Sequence, residues 1–490
     1  MSSNQIPLPH NKQTTTSPQR VVQIHSVSQH KEDPKKQDHQ KVHLISLGCP
    51  KNRVDSEVMV GKLYNGSYTM VDNPEEADVL IVNTCSFIQP ATEESIETIL
   101  EMGQYKEKAI QQGKQQKLIV TGCMVQRFGT ALEEELPEVD FFLGTGEYHR
   151  IDDVLKQPLN AQIRSYIDTP MYIHDEMATR LPSWKKHSAY LKISEGCNHK
   201  CTFCIIPTLR GKLRSRTMNS LLEEAKNLVK MGVREINLVS QDSTAYGRDL
   251  SDGSSLGALL RGLAGIEGLQ WIRLHYAYPI GLPTGLLEAI AEEEKVCTYI
   301  DIPLQHASGK MLKLMKRGVT REGQERILDR IRNHIPNVTI RTTFIVGFPG
   351  ETEADFEELC DFVREQKFDR VGVFTYCQEE GTAAYELPDQ VPDDVKKERQ
   401  RRLMTVQAAI SKKQLERHIG QKMLVLVDGV SEEHEWVKVG RLETQAPDVD
   451  GVVYLDEAPE WVQAGMFVEV EISQVSNYDL VGVVLSEEPL

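Results

Sequence analysis

The chain carries, at residues 197–204, the stretch CNHKCTFC, which follows directly on the apolar run AYLKIS at 189–194. Its three thiols therefore lie on one tight loop at the end of a predicted strand. Closely spaced thiolates suit iron–sulfur clusters, and three of them leave one iron of a four-iron cluster open. Zinc completed by a distant residue, or unligated core cysteines, remain as alternatives. We call Cys197, Cys201 and Cys204 the central trio.

Around this loop, strand-like runs alternate with helix-length segments from about 189 to 376. This alternation predicts a parallel sheet covered by helices. Six strand–helix units are too few for a closed eightfold barrel, so we expect an open, partial (β/α) barrel. The six runs are AYLKIS, EINLVSQD, WIRLHYAYP, YIDIPLQH, TIRTTFIVGFPG and RVGVFTY.

A second alternation, from 42 to about 150, predicts an open parallel α/β sheet. Three of its strands, VHLISLGC, ADVLIVNTC and KLIVTGC, end at Cys49, Cys85 and Cys123, which we call the N-terminal trio. Ligands of open α/β sheets bind at the carboxyl ends of the strands. The positions favour a shared site, although free cysteines are also common in protein cores.

The two ends of the chain have other patterns. Residues 1–40 are rich in Ser, Thr, Gln, His and Lys and predict a disordered tail, with a transit peptide as the alternative reading. After a charged, helix-favouring segment at 391–418, the last 70 residues or so alternate as short β-strands between Gly, Asp and Asn turns. They predict a small all-β module.

Composition limits the function. Among 490 residues, 56 Lys and Arg oppose 72 Asp and Glu, a net charge of −16 that argues against non-specific nucleic-acid binding. The apolar runs are shorter than the roughly 20 residues of a membrane span, so no membrane association is expected. Nine cysteines are too sparse for a disulfide scaffold and indicate a reducing, cytoplasmic setting.

The central loop resembles the cluster loop of the radical S-adenosylmethionine (SAM) enzymes, and GFPGE at 347–351 is similar to their later SAM-binding element. Longer stretches resemble the methylthiotransferases, in particular the RimO-type branch that acts on a ribosomal protein. These are EGCNHKCTFCIIP, EINLVSQDSTAYG, YIDIPLQHAS and RTTFIVGFPGETEADF. The resemblance covers roughly residues 41–486. It implies a methylthiotransferase N-terminal domain at 41–152, a radical SAM core at 183–413 and a TRAM-like β-barrel at 416–486.

The resemblance also implies the chemistry. Each trio would bind a [4Fe-4S] cluster, and the cluster on the central trio would exchange with SAM. The enzyme would add a methylthio group to the β-carbon of an aspartate in small-subunit ribosomal protein number twelve. It would act as a monomer with a separate electron donor and without direct nucleic-acid recognition. The expected SAM contacts are Gly347, Gly350 and Glu351, although the residues alone also fit an ordinary strand-to-helix turn. Gln241 is a further expected contact, because it ends the strand EINLVSQD on the same sheet edge.

Two other functions stay open. The sister enzymes that methylthiolate a tRNA adenosine share the clusters and domains, but residues 421–490 hold three basic and fifteen acidic residues, a net charge of −12 that would repel RNA. A non-catalytic iron–sulfur or zinc scaffold is the second alternative.

The remaining candidate residues have structural interpretations. We expect Cys297, Cys360 and Cys377 to pack in the core, and His275 and His306 to be structural. Asp242 could touch SAM, but helix capping explains this residue equally well. The basic run from Arg210 to Arg216 could neutralise carboxylates of SAM or of the target aspartate, but a solvated charge run is the favoured interpretation.

Overall fold

The structure, a computed structural model, describes residues 22–23, 39–66, 68–183, 185–434 and 436–485. The predicted fold class is confirmed, because the described residues form an N-terminal parallel sheet, a central six-stranded parallel sheet and a C-terminal closed barrel. Among the described residues, no helix combines the length and the apolar character that a bilayer crossing would need.

The N-terminal sheet has the strand order β1-β2-β4-β5-β6-β7, with β3 also paired to β2. All pairs except β1–β2 are parallel. The strands are β1 (Val22–Gln23), β2 (Gln40–Ser46), β3 (Tyr68–Met70), β4 (Val79–Thr84), β5 (Lys117–Gly122), β6 (Phe141–Leu143) and β7 (Ser165–Tyr166). The helices are α1 (Pro50–Tyr64), α2 (Gln89–Gln111), α3 (Cys123–Phe128), α4 (Leu132–Glu135) and α5 (Ile151–Leu155).

Both faces of this sheet are covered. Every residue of β4 is buried, as expected for a parallel strand that carries apolar residues on both sides. One apolar cluster packs around Leu44 and Ile81, and a second on the other face packs around Leu80 and Val82. The alternation of side chains along β4 therefore divides the domain into two layers of core around one sheet.

Two local expectations need correction. Val22 and Gln23 pair antiparallel with Ser46 and Ile45, so these two residues form a strand instead of disordered chain. The rest of residues 1–38 lies outside the described residues. The stretch ATEESIETILEM at 91–102 predicts a helix with an acidic first turn, but α2 begins at Gln89 with a proline in its first turn, so these acids lie further along the helix.

The central sheet has the order β15-β14-β13-β12-β11-β8, and its strands are the six that the sequence predicts. They are β8 (Ser188–Lys192), β11 (Glu235–Val239), β12 (Trp271–Leu274), β13 (Val296–Asp301), β14 (Thr339–Val346) and β15 (Arg370–Thr375), whereas β9 (Ser194–Glu195) and β10 (Arg214–Ser215) form a separate ribbon. The helices are α6 (Ile206–Arg210), α7 (Met218–Lys230), α8 (Leu256–Ala264), α9 (Thr284–Glu292), α10 (Gly309–Leu314), α11 (Arg321–His334), α12 (Glu353–Gln366) and α13 (Asp393–Leu415).

The two faces of the central sheet differ in chemistry. Apolar residues such as Leu238 and Ile300 join the large core shared with the helices. The alternating positions of the same strands carry buried polar groups, among them Arg273, Tyr299 and Asp301. Because β8 and β15 are the two edges of the sheet, the partial barrel is open, as predicted.

The C-terminal module is a five-stranded closed barrel in the order β16-β17-β18-β20-β19. Its own apolar core includes Val425, Val453 and Val470. The strands are β16 (Lys422–Val430), β17 (Lys438–Arg441), β18 (Val453–Asp456), β19 (Phe467–Val475) and β20 (Leu480–Val484).

A buried arginine fastens this module to the central domain. Arg441 donates to Glu235 from Nη1 at 2.9 Å and from Nη2 at 2.7 Å, and its Nε donates to Asp428 at 2.7 Å. Burial opposes ionisation of Glu235, but Arg441 and then Arg273 hold the pKa of its carboxyl below its ordinary value. The ring of Trp271 packs edge-on against Phe467 across the same interface, with 4.9 Å between centroids.

The loop between β17 and β18 extends this contact to the amino ends of the central strands. Tyr299 donates from its hydroxyl to Asp450 at 2.8 Å, and Arg341 lies 3.6 Å from the same carboxylate. Tyr190 donates to Asp448 at 3.1 Å, and Arg53 of α1 lies 3.4 Å from it. Asp448 of the C-terminal module therefore contacts both of the other domains.

We predict that Arg441→Met weakens the attachment of the module by about 3–5 kcal/mol, because it leaves two buried carboxylates without their main partner. Urea unfolding followed by tryptophan fluorescence, to which Trp271 at the interface contributes, measures this change. The exposed Lys422→Met is the matched control and should change stability by less than about 0.5 kcal/mol. Equal effects of both changes would contradict this role of Arg441.

Candidate active site

The N-terminal trio lies at the carboxyl edge of its sheet, as the strand pattern predicts. Cys49 precedes α1, Cys85 follows β4 and Cys123 is the first residue of α3. The turn before Cys123 requires glycine, because Gly122 has a φ of 101° and a Cβ there would lie 2.4 Å from Oδ1 of Asn83.

Asn52 ties the loops of this trio together. Its Nδ2 donates to the carbonyl of Leu47 at 3.0 Å and to that of Thr84 at 2.8 Å, next to the loops that hold Cys49 and Cys85. The thiol of Cys123 lies 3.8 Å from the Oδ1 of Asn52. One fully buried amide therefore connects all three cysteine-bearing segments.

Burial dominates the electrostatics of this trio. Burial, followed by the neighbouring thiols, raises the pKa of Cys85. Burial also raises the pKa of Cys123, whereas Arg210 opposes that rise. Thiols held protonated by their surroundings become thiolates when a metal replaces the proton. Metal ligation by this trio, the role that the sequence predicts, would therefore require the loss of these protons.

The central trio lies on the loop that follows β9. The amide of Cys197 donates to the carbonyl of Gly211 at 3.1 Å, and the amide of Cys204 donates to that of Cys201 at 3.2 Å. Burial is the main cause that raises the pKa of Cys197 to about 11 and that of Cys204 to about 12. The Nη1 of Arg317 donates to the Sγ of Cys201 at 3.4 Å.

The side chain of His199, in the middle of the loop, contacts Asp242 and Tyr278. Its Nε2 lies 2.6 Å from Oδ2 of Asp242, and its ring stacks on Tyr278 with 3.7 Å between centroids. Asp242 also accepts from the amide of Thr244 at 3.0 Å, which confirms its predicted capping role. Within the described residues, no group of three or more His, Cys, Asp or Glu side chains surrounds a single metal ion. The ligands of a four-iron cluster differ in this respect, because each binds a separate iron.

The GFPGE turn follows β14 and depends on its glycines. Gly347 and Gly350 have φ values of 72° and 78°, and a Cβ on Gly347 would lie 2.2 Å from Lys396. Glu351 braces the turn from within: its carboxylate accepts from the amides of Gly347 at 2.7 Å and Phe348 at 3.2 Å. Since this side chain is fully buried, the structure shows it as a support of the turn.

Gln241, the fourth residue expected to contact SAM, ends the loop after β11. Its Nε2 donates to Glu195, next to the central trio. Its Oε1 is buried and has no hydrogen-bond partner among the described residues. A buried oxygen of this kind can accept a hydrogen bond from a donor group of a bound ligand.

A buried ion network joins the two trios across the domain interface. Lys192 of β8 contacts Asp55 of α1 and donates to Glu195 at 2.7 Å. Arg210 donates to the same two carboxylates, at 2.6 Å and 3.2 Å. Burial opposes ionisation of Glu195, but Lys192 and Arg210 hold its pKa below the ordinary value.

This network corrects one sequence interpretation. Arg210 and Arg216 are 2% and 3% exposed, so the basic run is not a solvated charge run at these positions. Arg216 pairs with the buried Glu224. The signal that could have revealed the network is Lys192, a charged residue inside the otherwise apolar run AYLKIS.

Of the remaining candidates, all but Cys377 are buried, as the expected structural roles require. Cys297 packs with Trp271 and Tyr299, and Cys360 lies in the main core. Cys377 is half-buried, with its Sγ 3.8 Å from the carbonyl of Thr375. The histidines His275 and His306 are buried, and burial lowers the pKa of His275 to about 3.

Comparison with known proteins agrees with this geometry. The chain is 49% identical over 449 residues to ribosomal protein uS12 methylthiotransferase RimO of Geobacter sulfurreducens, which covers 91% of this chain and 99% of that protein. It is 48% identical to the protein of the same name from Myxococcus xanthus, with 90% of each chain covered. The chain belongs to the RimO family.

Three family profiles match successive parts of this RimO-family chain. They are the uncharacterized protein family UPF0004 at residues 41–144, the radical SAM superfamily at 191–363 and the TRAM domain at 419–485. Among solved structures, the radical SAM methyltransferase TsrM of Kitasatospora setae aligns with a TM-score of 0.49 and 14% identity, over 69% of this chain and 72% of that one.

We predict that Glu351→Gln lowers the free energy of unfolding by about 1–3 kcal/mol, because the new amide cannot accept from both backbone N–H groups and from Arg399. Denaturant unfolding measures the change. Glu353→Gln is the control, since Glu353 also contacts Arg399 but is 57% exposed, and it should cost less than about 1 kcal/mol. If the two variants unfold alike, Glu351 does not brace the turn.

Proposed function

We propose that this chain is a radical SAM methylthiotransferase that adds a methylthio group to the β-carbon of an aspartate of ribosomal protein uS12. The RimO relatives carry that substrate in their name, and they match this chain over nearly their whole length. The observation that supports the proposal is that each of the two sheets carries a cysteine trio at the carboxyl ends of its strands, and that one buried ion network joins the two domains beside them. A single-cluster enzyme would need only one of them.

The residues present fit two clusters and SAM. Cys197, Cys201 and Cys204 would hold one [4Fe-4S] cluster, and the N-terminal trio would hold the other. When bound, these groups supply reductive cleavage of SAM to a radical that can attack an unactivated C–H bond, and sulfur for transfer. The chain itself provides the glycine turn at 347–350, the open acceptor of Gln241 and a buried interface that keeps the trios together.

Charge favours a protein substrate over tRNA. The module at 421–490 carries a net charge of −12, and a TRAM domain that bound RNA phosphates would need the opposite sign. Several of these acids already have partners within the chain. Asp428 pairs with Arg441, and Asp450 accepts a hydrogen bond from Tyr299 of the central domain. Others, including Glu457, Glu460 and Glu471, are exposed and available to a basic ribosomal protein. We further propose a cytoplasmic monomer that receives electrons from a separate donor.

Mass spectrometry tests the function directly. The anaerobically reconstituted chain is incubated with SAM, a reductant, a sulfide source and either uS12 or total tRNA. We expect a methylthio addition on an aspartate of uS12 and none on tRNA. Modification of a tRNA adenosine alone would establish the sister activity. Protein that contains zinc and shows no SAM cleavage on reduction would favour the scaffold alternative.

The two trios should separate into two measurable roles. Changing the central trio to alanine should halve the iron from about eight atoms per chain and abolish SAM cleavage. Changing the N-terminal trio should also halve the iron, but SAM cleavage should persist while the methylthio product disappears. Iron analysis and the detection of 5′-deoxyadenosine measure these outcomes. Full iron content in either variant would contradict the ligand assignment.

The exposed acids of the module should steer the substrate. We predict that Glu457, Glu460 and Glu471 changed together to lysine slow the association of uS12 roughly tenfold at low salt and weaken its salt dependence. Stopped-flow binding measures this rate. Iron content and SAM cleavage should stay unchanged, because the substituted residues lie outside the two cluster-bearing domains.

A matched reversal on another surface serves as the control. Glu267, Glu288 and Glu294 are exposed residues of the central domain, and their change to lysine alters the net charge of the chain by the same amount. This variant should bind uS12 nearly as fast as the unchanged chain. If both reversals slow binding equally, total charge matters and the module has no specific part in recognition.

A further inference from the structure

Arg210 belongs to the central domain but contacts a thiol of the other domain. It ends α6, six residues after Cys204, and its side chain is 2% exposed. From Nη2 it donates to the Sγ of Cys123 at 3.4 Å and to the Oδ1 of Asn52. One planar guanidinium therefore contacts a cysteine of the N-terminal trio and the amide that ties the loops of this trio together.

The other edge of the same guanidinium is fixed by carboxylates. Nη1 donates to Asp55 at 2.6 Å and to Glu195 at 3.2 Å. With Lys192, the buried group contains two cations and two carboxylates, so the local charge balances without any charge from the cysteines. Because the guanidinium fork is rigid, these contacts on one nitrogen hold the other nitrogen against the sulfur.

Donation of an N–H group to a ligating sulfur has a known electronic consequence. It stabilises the more negative state of an iron–sulfur centre and so raises the reduction potential. A guanidinium adds a full positive charge to this effect. The central trio shows a second case of the same contact, since Arg317 donates to the Sγ of Cys201 at 3.4 Å.

We propose that Arg210 is a positioning residue of the N-terminal trio that raises the reduction potential of the cluster bound there. This inference rests on the proposed function, which assigns Cys49, Cys85 and Cys123 as cluster ligands. Arg210 would make the two sites interdependent: the domain that bears one trio supplies a hydrogen-bond donor to the other. A purely structural arginine would stabilise the interface without an effect on the cluster.

Arg180 is the matched control. It is also buried and also crosses this interface, because its Nε donates to Glu57 of α1 at 2.7 Å and its Nη1 donates to Glu224 at 2.6 Å. None of the contacts described for Arg180 is with a thiol. A change to lysine at either position keeps the charge and removes the fork, so the two variants disturb the interface in a similar way.

The test uses the full chain with Cys197, Cys201 and Cys204 changed to alanine, so that only the N-terminal trio binds a cluster. The parent, Arg210→Lys and Arg180→Lys are reconstituted anaerobically and titrated with dithionite, and the one-electron reduction of the cluster is followed by electron paramagnetic resonance. We expect a lower midpoint potential in Arg210→Lys and the parent value in Arg180→Lys. Thermal unfolding of each protein measures the structural cost separately.

A second variant keeps the experiment decisive if Arg210→Lys folds poorly. Arg210→Met combined with Asp55→Asn removes one cation and one anion, so the buried charge stays balanced, and its potential should fall further than that of Arg210→Lys. Loss of iron from the Arg210 variants alone, at a thermal stability equal to that of Arg180→Lys, would also support the positioning role.

The outcomes separate the two proposals. A parent without iron overturns the ligand assignment, and with it the inference. A parent with a full cluster whose potential is unchanged by both Arg210 variants overturns the inference alone. Equal shifts in the Arg210 and Arg180 variants would also overturn it, because the potential would then follow the interface as a whole.

Discussion

The buried ion network between Lys192, Asp55, Glu195 and Arg210 is the constraint on which the arrangement of the site depends. Charges removed from water are stable only when they are paired and hydrogen-bonded, and here the partners come from two domains. Neither domain can keep its own charges buried without the other. The network therefore holds residues that follow the carboxyl ends of strands in the two parallel sheets in contact with each other.

Paired buried charges also join the central domain to the C-terminal barrel. Arg273 donates to Glu235, which Arg441 of the C-terminal barrel also binds. Asp448 then contacts Tyr190 of the central domain and Arg53 of α1. Arg53 lies one turn after Cys49, so the barrel module reaches to within one helical turn of the N-terminal trio.

Local patterns predicted the elements well, because a parallel strand buried on both faces leaves a continuous apolar run. Cys49, Cys85 and Cys123 could be placed at strand ends for this reason, and all six central strands were found. The contacts of Arg210 could not be predicted, because it meets Cys123 across 87 positions and only after two domains have packed. The role of Asn52 was missed for the same reason, because an asparagine two residues after a proline, between a lysine and an arginine, is typical of an ordinary helix start.

The contacts of the loop between β17 and β18 limit how this module could be exchanged among relatives. Although the five-stranded barrel has a core of its own, its arginine and its acids are completed by Glu235, Tyr299 and Arg341 of the central domain. A chimaera that received a foreign barrel would bury unmatched charges at this junction. The two domains must therefore change together, and a graft of new substrate specificity has to carry both halves of the interface.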